Sequence, residues 1–304
     1  MAGSISEFFG YRAEDRSKIA RKAASDKKCP FLGSTCVKLF GRTREISGVC
    51  AIRQKKAGSP SVVCCPNRIY ADNYAVLYKI SRMAFGCDLP LCAGRAAVEK
   101  SKSAGGAVAV FGHGWGGELR LPKRNGVGSY FVDWVLARLD GNGQLVDFTA
   151  IEVQTIDTTG KYSEAQKMLK KDRSIVYDTV GLNWENVAKR IIPQLIYKGQ
   201  VLQREEMCKT GLYFVCPMPI YERVITRLGG KERIPSFPTQ PAAIHFLAYD
   251  YAKSFSDVPC GNIVPLDILE EHCTTVYKIQ EAFSAISLPE GNVYGNAIRR
   301  CLYG

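Results

Sequence analysis

The 304-residue sequence lacks any long apolar run. No stretch reaches the roughly 18 residues that a membrane-spanning helix needs, and the first ten residues, MAGSISEFFG, lack the apolar core of a signal peptide. Internal repeats and low-complexity segments are also missing. We therefore expect a cytoplasmic protein, and a chain of this length can form one large or two modest domains.

A complete nucleotide-binding motif is missing too. Gly112, Gly114 and Gly117 match GxGxxG after a short apolar strand predicted at residues 107–111. A dinucleotide fold requires a helix next, so that its N-terminal N–H groups face the pyrophosphate. Residues 118–122 instead alternate and end at a proline, which predicts a strand, and no Gly-Lys-Ser/Thr sequence marks a P-loop. Both nucleotide-binding classes are excluded.

Positive charge is in excess. The formal net charge is +12, and residues 1–60 hold thirteen Lys and Arg against five Asp and Glu, a local excess of +8. Concentrated positive charge is typical of proteins that contact a phosphate backbone. The alternative is a basic surface that only keeps the protein in solution. Charge alone does not decide between them.

Five of the twelve cysteines are clustered near the N-terminus, at Cys29, Cys36, Cys50, Cys64 and Cys65. In a reducing compartment such clustering favours metal binding over disulfides, and four thiolates suit tetrahedral zinc or iron. The spacing contains no CxxC pair, since six residues separate the first two cysteines and thirteen the next two. Scattered buried thiols therefore remain an open alternative.

Residues 131–155, FVDWVLARLDGNGQLVDFTAIEVQT, read as two apolar strands joined by an Asp-Gly-Asn-Gly turn. An Asn-Gly turn between β-prone runs is a strong hairpin pattern. Three polar residues interrupt the strands: Asp133 in the first, and Glu152 and Gln154 on one face of the second. After a helical crossover, an apolar strand at residues 212–215 is expected to lie parallel to the second strand.

Acids inside apolar strands are costly unless they are paired or bind a cation. If Asp133 lies opposite Glu152, two carboxylates and the Gln154 amide converge, and such oxygen ligands suit Mg²⁺. A phosphodiester-cleaving site is the function this predicts. In the alternative, Asp133 begins a surface strand and Glu152 is an edge-strand charge that discourages sheet pairing.

An acid on one strand, followed by an acid two residues before a polar residue on the next, resembles the PD-(D/E)XK nuclease pattern, with Gln154 in place of its usual lysine. The chain further resembles the NotI family of type II restriction endonucleases, where that glutamine also occurs. The shared segments follow in the family's order: Glu7-Phe8-Phe9-Gly10, Cys29-Pro30-Phe31-Leu32, Cys36-Val37-Lys38, Gly48-Val49-Cys50, Cys65-Pro66-Asn67-Arg68, Gly116-Gly117-Glu118-Leu119, Asp133-Trp134 and Glu152-Val153-Gln154-Thr155.

The resemblance implies an α/β fold: a PD-(D/E)XK core, with a mixed central sheet flanked by helices, plus an N-terminal four-cysteine metal region. We expect a basic metal-binding region at residues 1–100 and a catalytic domain at 101–304, joined through a linker at 100–106 and ending in a helical part that includes 266–283. The implied catalytic residues are Asp133, Glu152, Gln154 and Glu118.

The resemblance also implies cofactors and partners. Mg²⁺ would be held by Asp133 and Glu152, and one structural iron, with zinc as the alternative, by Cys29, Cys36, Cys50 and Cys65. Cys64 could substitute for Cys65. The partners would be double-stranded DNA, read at a GC-rich palindrome, and a second copy in a homodimer, in a bacterial cytoplasm. The competing hypothesis is a catalytically silent DNA-binding protein, because Gln154 supplies no positive charge.

Overall fold

The computed structural model describes residues 2–39, 45–119, 131–285 and 291–303. Its strands are β1 (Gly3–Phe8), β2 (Tyr11–Arg12), β3 (Val49–Gln54), β4 (Ser61–Val63), β5 (Leu91–Ala93), β6 (Gly106–Gly112), β7 (Trp134–Asp140), β8 (Leu145–Val153), β9 (Thr158–Thr159), β10 (Gly181–Leu182), β11 (Leu212–Pro217), β12 (Ala243–Tyr251) and β13 (Leu266–Thr275). Its helices are α1 (Lys18–Ser25), α2 (Ala71–Phe85), α3 (Ala96–Ala104), α4 (Ser163–Lys171), α5 (Ile192–Leu202), α6 (Met218–Arg227), α7 (Val276–Ser284) and α8 (Val293–Tyr303).

A seven-stranded mixed sheet is the centre of the fold, in the order β13-β12-β11-β8-β7-β6-β5. The predicted hairpin is its middle: β7 and β8 are antiparallel, and β8 pairs on its other side with β11. That second pairing is parallel, as the crossover argument predicted. None of the described helices has the length and apolarity needed to cross a bilayer.

The two faces of β8 pack against different helices, because successive side chains of a strand point to opposite sides. Ala150 belongs to a core cluster with residues of α5, α6 and α7. Ile151 and Val153 belong to a second cluster, with residues of α2. The mixed central sheet between helices confirms that part of the predicted fold class. Glu152, two residues after Ala150, lies on the α5 side.

Helix α5 packs closely against the sheet at Gly199. A methyl group added there would lie 2.9 Å from side-chain carbons of Ile244 in β12 and Val276 in α7. Leu195 and Leu202 are buried on the same helix. This packing fixes the helix where its polar residues can reach the carboxyl end of β8.

The N-terminal region forms a separate antiparallel sheet in the order β2-β1-β3-β4. It is tied to the rest of the fold by a buried ion pair, in which Arg68 donates through Nε and Nη2 to the two Glu7 oxygens at 3.1 and 3.2 Å. Arg68 also donates to the carbonyl of Val264. The guanidinium therefore links β1 to the segment that precedes β13.

The sequence predictions for residues 266–275 and 100–104 are wrong. Residues 266–275 form the edge strand β13 rather than a helix, and only α7 follows as helix. Exposure alternates along most of β13, which pairs with β12 throughout its length, so tertiary pairing overrides the amphipathic pattern. Residues 100–104, predicted as linker, lie in α3. The division of the chain near residue 100 stays a prediction.

The Glu7–Arg68 pair generates a stability prediction. Arg68→Met leaves the Glu7 charge buried without its partner, so we expect the free energy of unfolding to fall by about 3–5 kcal/mol. Urea titration measures the change. Lys22→Met, which breaks an exposed ion pair with Asp26, is the control and should have no measurable effect. A Glu7→Gln/Arg68→Met double variant should be more stable than Arg68→Met. Equal losses in both would contradict the ion-pair explanation.

Candidate active site

The hairpin register brings two of the predicted acids together. Trp134 pairs with Ile151, and extending that register by one residue places Asp133 opposite Glu152. Asp133 lies just before β7 at the protein surface, but its Oδ2 accepts a hydrogen bond from the Val153 backbone N–H at 2.7 Å. The two carboxylates therefore share one end of the β7–β8 pair.

Glu152 has one paired oxygen and one unpaired oxygen. Its Oε1 lies 2.5 Å from the Lys198 ammonium group at the α5 side of the sheet, and both side chains are largely buried. Its Oε2 is buried and has no hydrogen-bond partner among the residues that the structure describes. An unpartnered buried carboxylate oxygen is costly, so this atom is suited to accept a ligand that the protein itself does not supply.

The pKa values reflect this crowding of charge. Burial raises the pKa of the Glu152 carboxyl to about 7, and the Asp133 charge acts in the same direction, while Lys198 opposes both. Desolvation by the surrounding protein raises the pKa of the Asp133 carboxyl, and the charge of Glu118 raises it further. The hydrogen bond from the Val153 N–H and the charge of Lys198 lower it. The Asp133 carboxylate therefore lies within electrostatic range of Glu152, Glu118 and Lys198.

Glu118 is the outermost of the three acids. It lies in the loop after β6, more than half exposed, with its Oε1 at 3.7 Å from Nδ1 of His113. The strand predicted at residues 118–122 is wrong for Glu118 and Leu119, which lie outside the strands. Residues 120–122 lie outside the described residues.

Gln154 follows the acids but is turned to the backbone. Its Nε2 donates to the carbonyl of Thr155 at 2.6 Å, and its backbone N–H continues the pairing with β11 through the carbonyl of Val215. The amide therefore supplies no hydrogen bond to Glu152 in this arrangement. The nearby positive charge comes from Lys198.

Sequence reasoning missed Lys198. The residue was only the last position of a predicted helix at 183–198, one lysine among many. Its contact with Glu152 depends on how α5 crosses the sheet, which no local pattern reveals. The one available indication was Gly199, because a glycine inside a helix often marks close packing.

The five N-terminal cysteines are all buried. Burial raises the pKa of the Cys65 thiol to about 12, with Cys36 among the neighbouring charges that add to it. Burial raises the pKa of the Cys50 thiol, and the neighbouring Cys65 raises it further. Burial likewise raises the pKa of the Cys29 thiol, and the neighbouring Cys36 raises it further. Cys29, Cys36, Cys50 and Cys65 are therefore electrostatic neighbours.

Backbone and lysine groups surround these sulfurs. The N–H groups of Phe31 and Leu32 donate to Cys29, and that of Asn67 donates to Cys65. The Lys38 ammonium group lies 3.3 Å from Cys64 Sγ. Within the parts of the chain that the structure describes, no group of three or more His, Cys, Asp or Glu is arranged to hold a metal ion. The four-cysteine metal region is not confirmed.

The family comparison matches most of this arrangement. Residues 15–222 match the family model described as restriction endonuclease NotI. The chain belongs to the NotI restriction endonuclease family. That family implies a nuclease, a hydrolase that acts on DNA. The matched residues include the five N-terminal cysteines, the three acids, Gln154 and Lys198. Strands β12 and β13 and helices α7 and α8 follow the matched range. The curated protein sequences contain no significant match.

An aromatic group supports the hairpin beside Asp133. Trp134 donates from Nε1 to the hydroxyl of Tyr70 at 3.0 Å, and its ring packs edge-on against Tyr70 and Tyr74. Gly112 lies directly against the same indole, where an added methyl group would overlap the ring. The absence of a side chain at Gly112 therefore lets Trp134 hold the start of β7.

Gly112→Ala tests this packing. We expect a loss of about 1–3 kcal/mol in the free energy of unfolding, since overpacking forces Trp134 to move, and a changed near-ultraviolet circular dichroism spectrum. Gly141→Ala is the matched control, because a methyl group there meets no atom closer than 3.6 Å. If both variants unfold alike, the close packing of Gly112 on Trp134 has no energetic importance.

Proposed function

We propose that this protein is a type II restriction endonuclease that hydrolyses phosphodiester bonds of double-stranded DNA with Mg²⁺. The observation that carries the proposal is the buried Oε2 of Glu152, at the end of β8 where Asp133 faces it. Within residues 2–39, 45–119, 131–285 and 291–303, this oxygen has no hydrogen-bond partner. Family membership independently supports a DNA hydrolase.

Asp133 and Glu152 would hold the metal ion, since Mg²⁺ prefers a few carboxylate oxygens and completes its shell with water and phosphate. When bound, it supplies the charge that lowers the pKa of a water ligand and offsets charge developing on the phosphate. Glu118 would act as a further acid at the site's outer side. The Gln154 side-chain oxygen would accept a hydrogen bond from the attacking water and orient it.

The same arrangement favours membership of the PD-(D/E)XK superfamily. Asp133 and Glu152 stand at one end of neighbouring antiparallel strands in a mixed sheet flanked by helices, as the family pattern requires. We propose a homodimer, because paired cuts at a palindrome require two-fold symmetric protein. A GC-rich palindromic target follows from resemblance to the family alone.

The surface formed by α1 and α4 is suited to DNA. The two helices pack together, joined by Arg173, which donates to the carbonyls of Arg12, Ala13 and Ala20. Exposed cations on this surface are Arg16, Lys18, Arg21, Lys22, Lys167, Lys170 and Lys171. Such a cluster would contact phosphates and position the protein without reading sequence.

Neutral replacements of the two acids test the catalytic proposal. Asp133→Asn and Glu152→Gln should each lower Mg²⁺-dependent plasmid cleavage by at least about 100-fold, since each removes charge from the reaction centre, while DNA binding is retained. Glu185→Gln, which changes an exposed acid paired with Lys189, is the control and should cleave normally. Full activity of either site variant would contradict its role. Bound but uncut DNA with the unaltered protein would favour the silent DNA-binding alternative.

We also propose that Cys29, Cys36, Cys50 and Cys65 bind one structural iron, or zinc in its place. Four buried thiols provide a suitable donor set, and Lys38 and Arg68 would offset its negative charge. Cys65 is the better fourth ligand: its neighbours include Cys36, whereas Cys64 Sγ donates to the Cys50 carbonyl at 3.6 Å and contacts Lys38.

Metal analysis of the doublet variants tests this assignment. Purified protein should contain about one iron or zinc per chain, the stoichiometry of a four-cysteine site. Cys65→Ser should lose the metal because a ligand is removed, and Cys64→Ser should keep it. The reverse pattern would make Cys64 the ligand, and metal-free unaltered protein, purified without chelators, would exclude the site.

A further inference from the structure

The site contains more acid than the known residues can balance. Asp133, Glu152 and Glu118 influence one another electrostatically, and a DNA phosphate would bring further negative charge. Gln154 cannot offset it, because an amide is neutral and its Nε2 donates to the Thr155 carbonyl. A cation from another element would therefore add to the positive charge that Mg²⁺ supplies when this centre accepts a phosphodiester.

Lys198 has the position for this role. Its ammonium group lies 2.5 Å from Glu152 Oε1, and its side chain is only 17% exposed. The alkyl chain runs along an apolar cavity of about 300 Å³ whose wall includes Val132, Phe148 and Leu202, so the charged end is directed at the acids. Glu205 is the other charged residue at this cavity within the described chain.

We propose that Lys198 is the positioning cation of the active site, taking from helix α5 the role that Gln154 cannot fill from the strand. By holding Oε1, it leaves Oε2 of Glu152 as the single free oxygen directed at the reaction centre. Its positive charge also offsets the repulsion between the carboxylates and the phosphate. This inference rests on the proposed nuclease function.

A purely structural role makes a different prediction. If Lys198 only neutralises a buried carboxylate for folding, Lys198→Met would lower the free energy of unfolding, and the double variant with Glu152→Gln would recover it. If Lys198 positions Glu152 for catalysis, the cleavage step slows in protein that is folded and binds DNA normally. Lys198→Arg keeps the charge and should recover part of the rate.

The experiment compares unaltered protein with Lys198→Met, Lys198→Gln and Lys198→Arg. Lys189→Met is the matched control: Lys189 lies in the preceding turn, Val187–Ile191, and makes an equally short ion pair with Glu185, but both partners are exposed. Cleavage is measured in single turnover with Mg²⁺, and kcat and KM are determined separately in the steady state. DNA affinity is measured with Ca²⁺ in place of Mg²⁺, and stability is measured by urea unfolding.

We expect Lys198→Met and Lys198→Gln to lose about 100-fold or more in kcat, the size associated with removing a preorganised charge or donor, with KM and DNA affinity within about threefold of the unaltered values. Lys198→Arg should recover at least a tenth of the rate, and Lys189→Met should keep the full rate.

Normal cleavage by both neutral variants would overturn the Lys198 assignment and leave the nuclease proposal standing. Failure of all three Lys198 variants to fold would make the lysine structural, which also overturns it. Absence of Mg²⁺-dependent cleavage by the unaltered protein would instead overturn the proposed function.

Discussion

The burial of one carboxylate in the middle of a sheet constrains the rest of this structure. Glu152 lies on β8, which is paired on both sides, and only 8% of the residue is exposed. Desolvation raises the free energy of the ionised form. Lys198 supplies a compensating charge at one oxygen, and the other oxygen has no hydrogen-bond partner in the part of the chain that the structure describes. Burying a carboxylate oxygen without a partner in the most central strand destabilises the fold, and a function at that oxygen best explains why the residue is kept there.

A second buried charge joins the N-terminal region to the same core. Arg68 lies in the turn that follows the Cys64–Cys65 doublet, and its guanidinium pairs with Glu7 from β1. The ring of Phe31, two residues after Cys29, packs 4.6 Å below that guanidinium. One guanidinium therefore contacts the cysteine-rich region at Phe31, strand β1 at Glu7 and the segment before β13 at Val264.

The features that the sequence predicts correctly are those set by residues close together in the chain. The β7–β8 hairpin follows from its Asn-Gly turn. The register that places Asp133 opposite Glu152 depends in addition on a one-residue shift in the pairing after Arg138, which the turn does not set. Contacts between distant elements were not predictable. Lys198 reaches Glu152 through the packing of α5. The amphipathic pattern of residues 266–275 predicts a helix, but pairing with β12 makes this segment a strand. The catalytic and metal roles assigned to individual residues stay predictions.

The proposed use of a helix lysine, Lys198, where the PD-(D/E)XK pattern has a strand lysine would depend on how α5 packs on the sheet. A lysine at position 154 would have its distance from Glu152 fixed by the strand that carries both residues. The distance from Lys198 to Glu152 depends instead on how far α5 lies from the sheet. That distance is set at Gly199, where any side chain would press on Ile244 and Val276. A larger residue at this position would lift the helix and draw the Lys198 ammonium group away from Glu152, even though neither charged residue had changed. The active-site charge balance and the packing of α5 are therefore one constraint, and Gly199 belongs to the site as much as the residues that carry its charge.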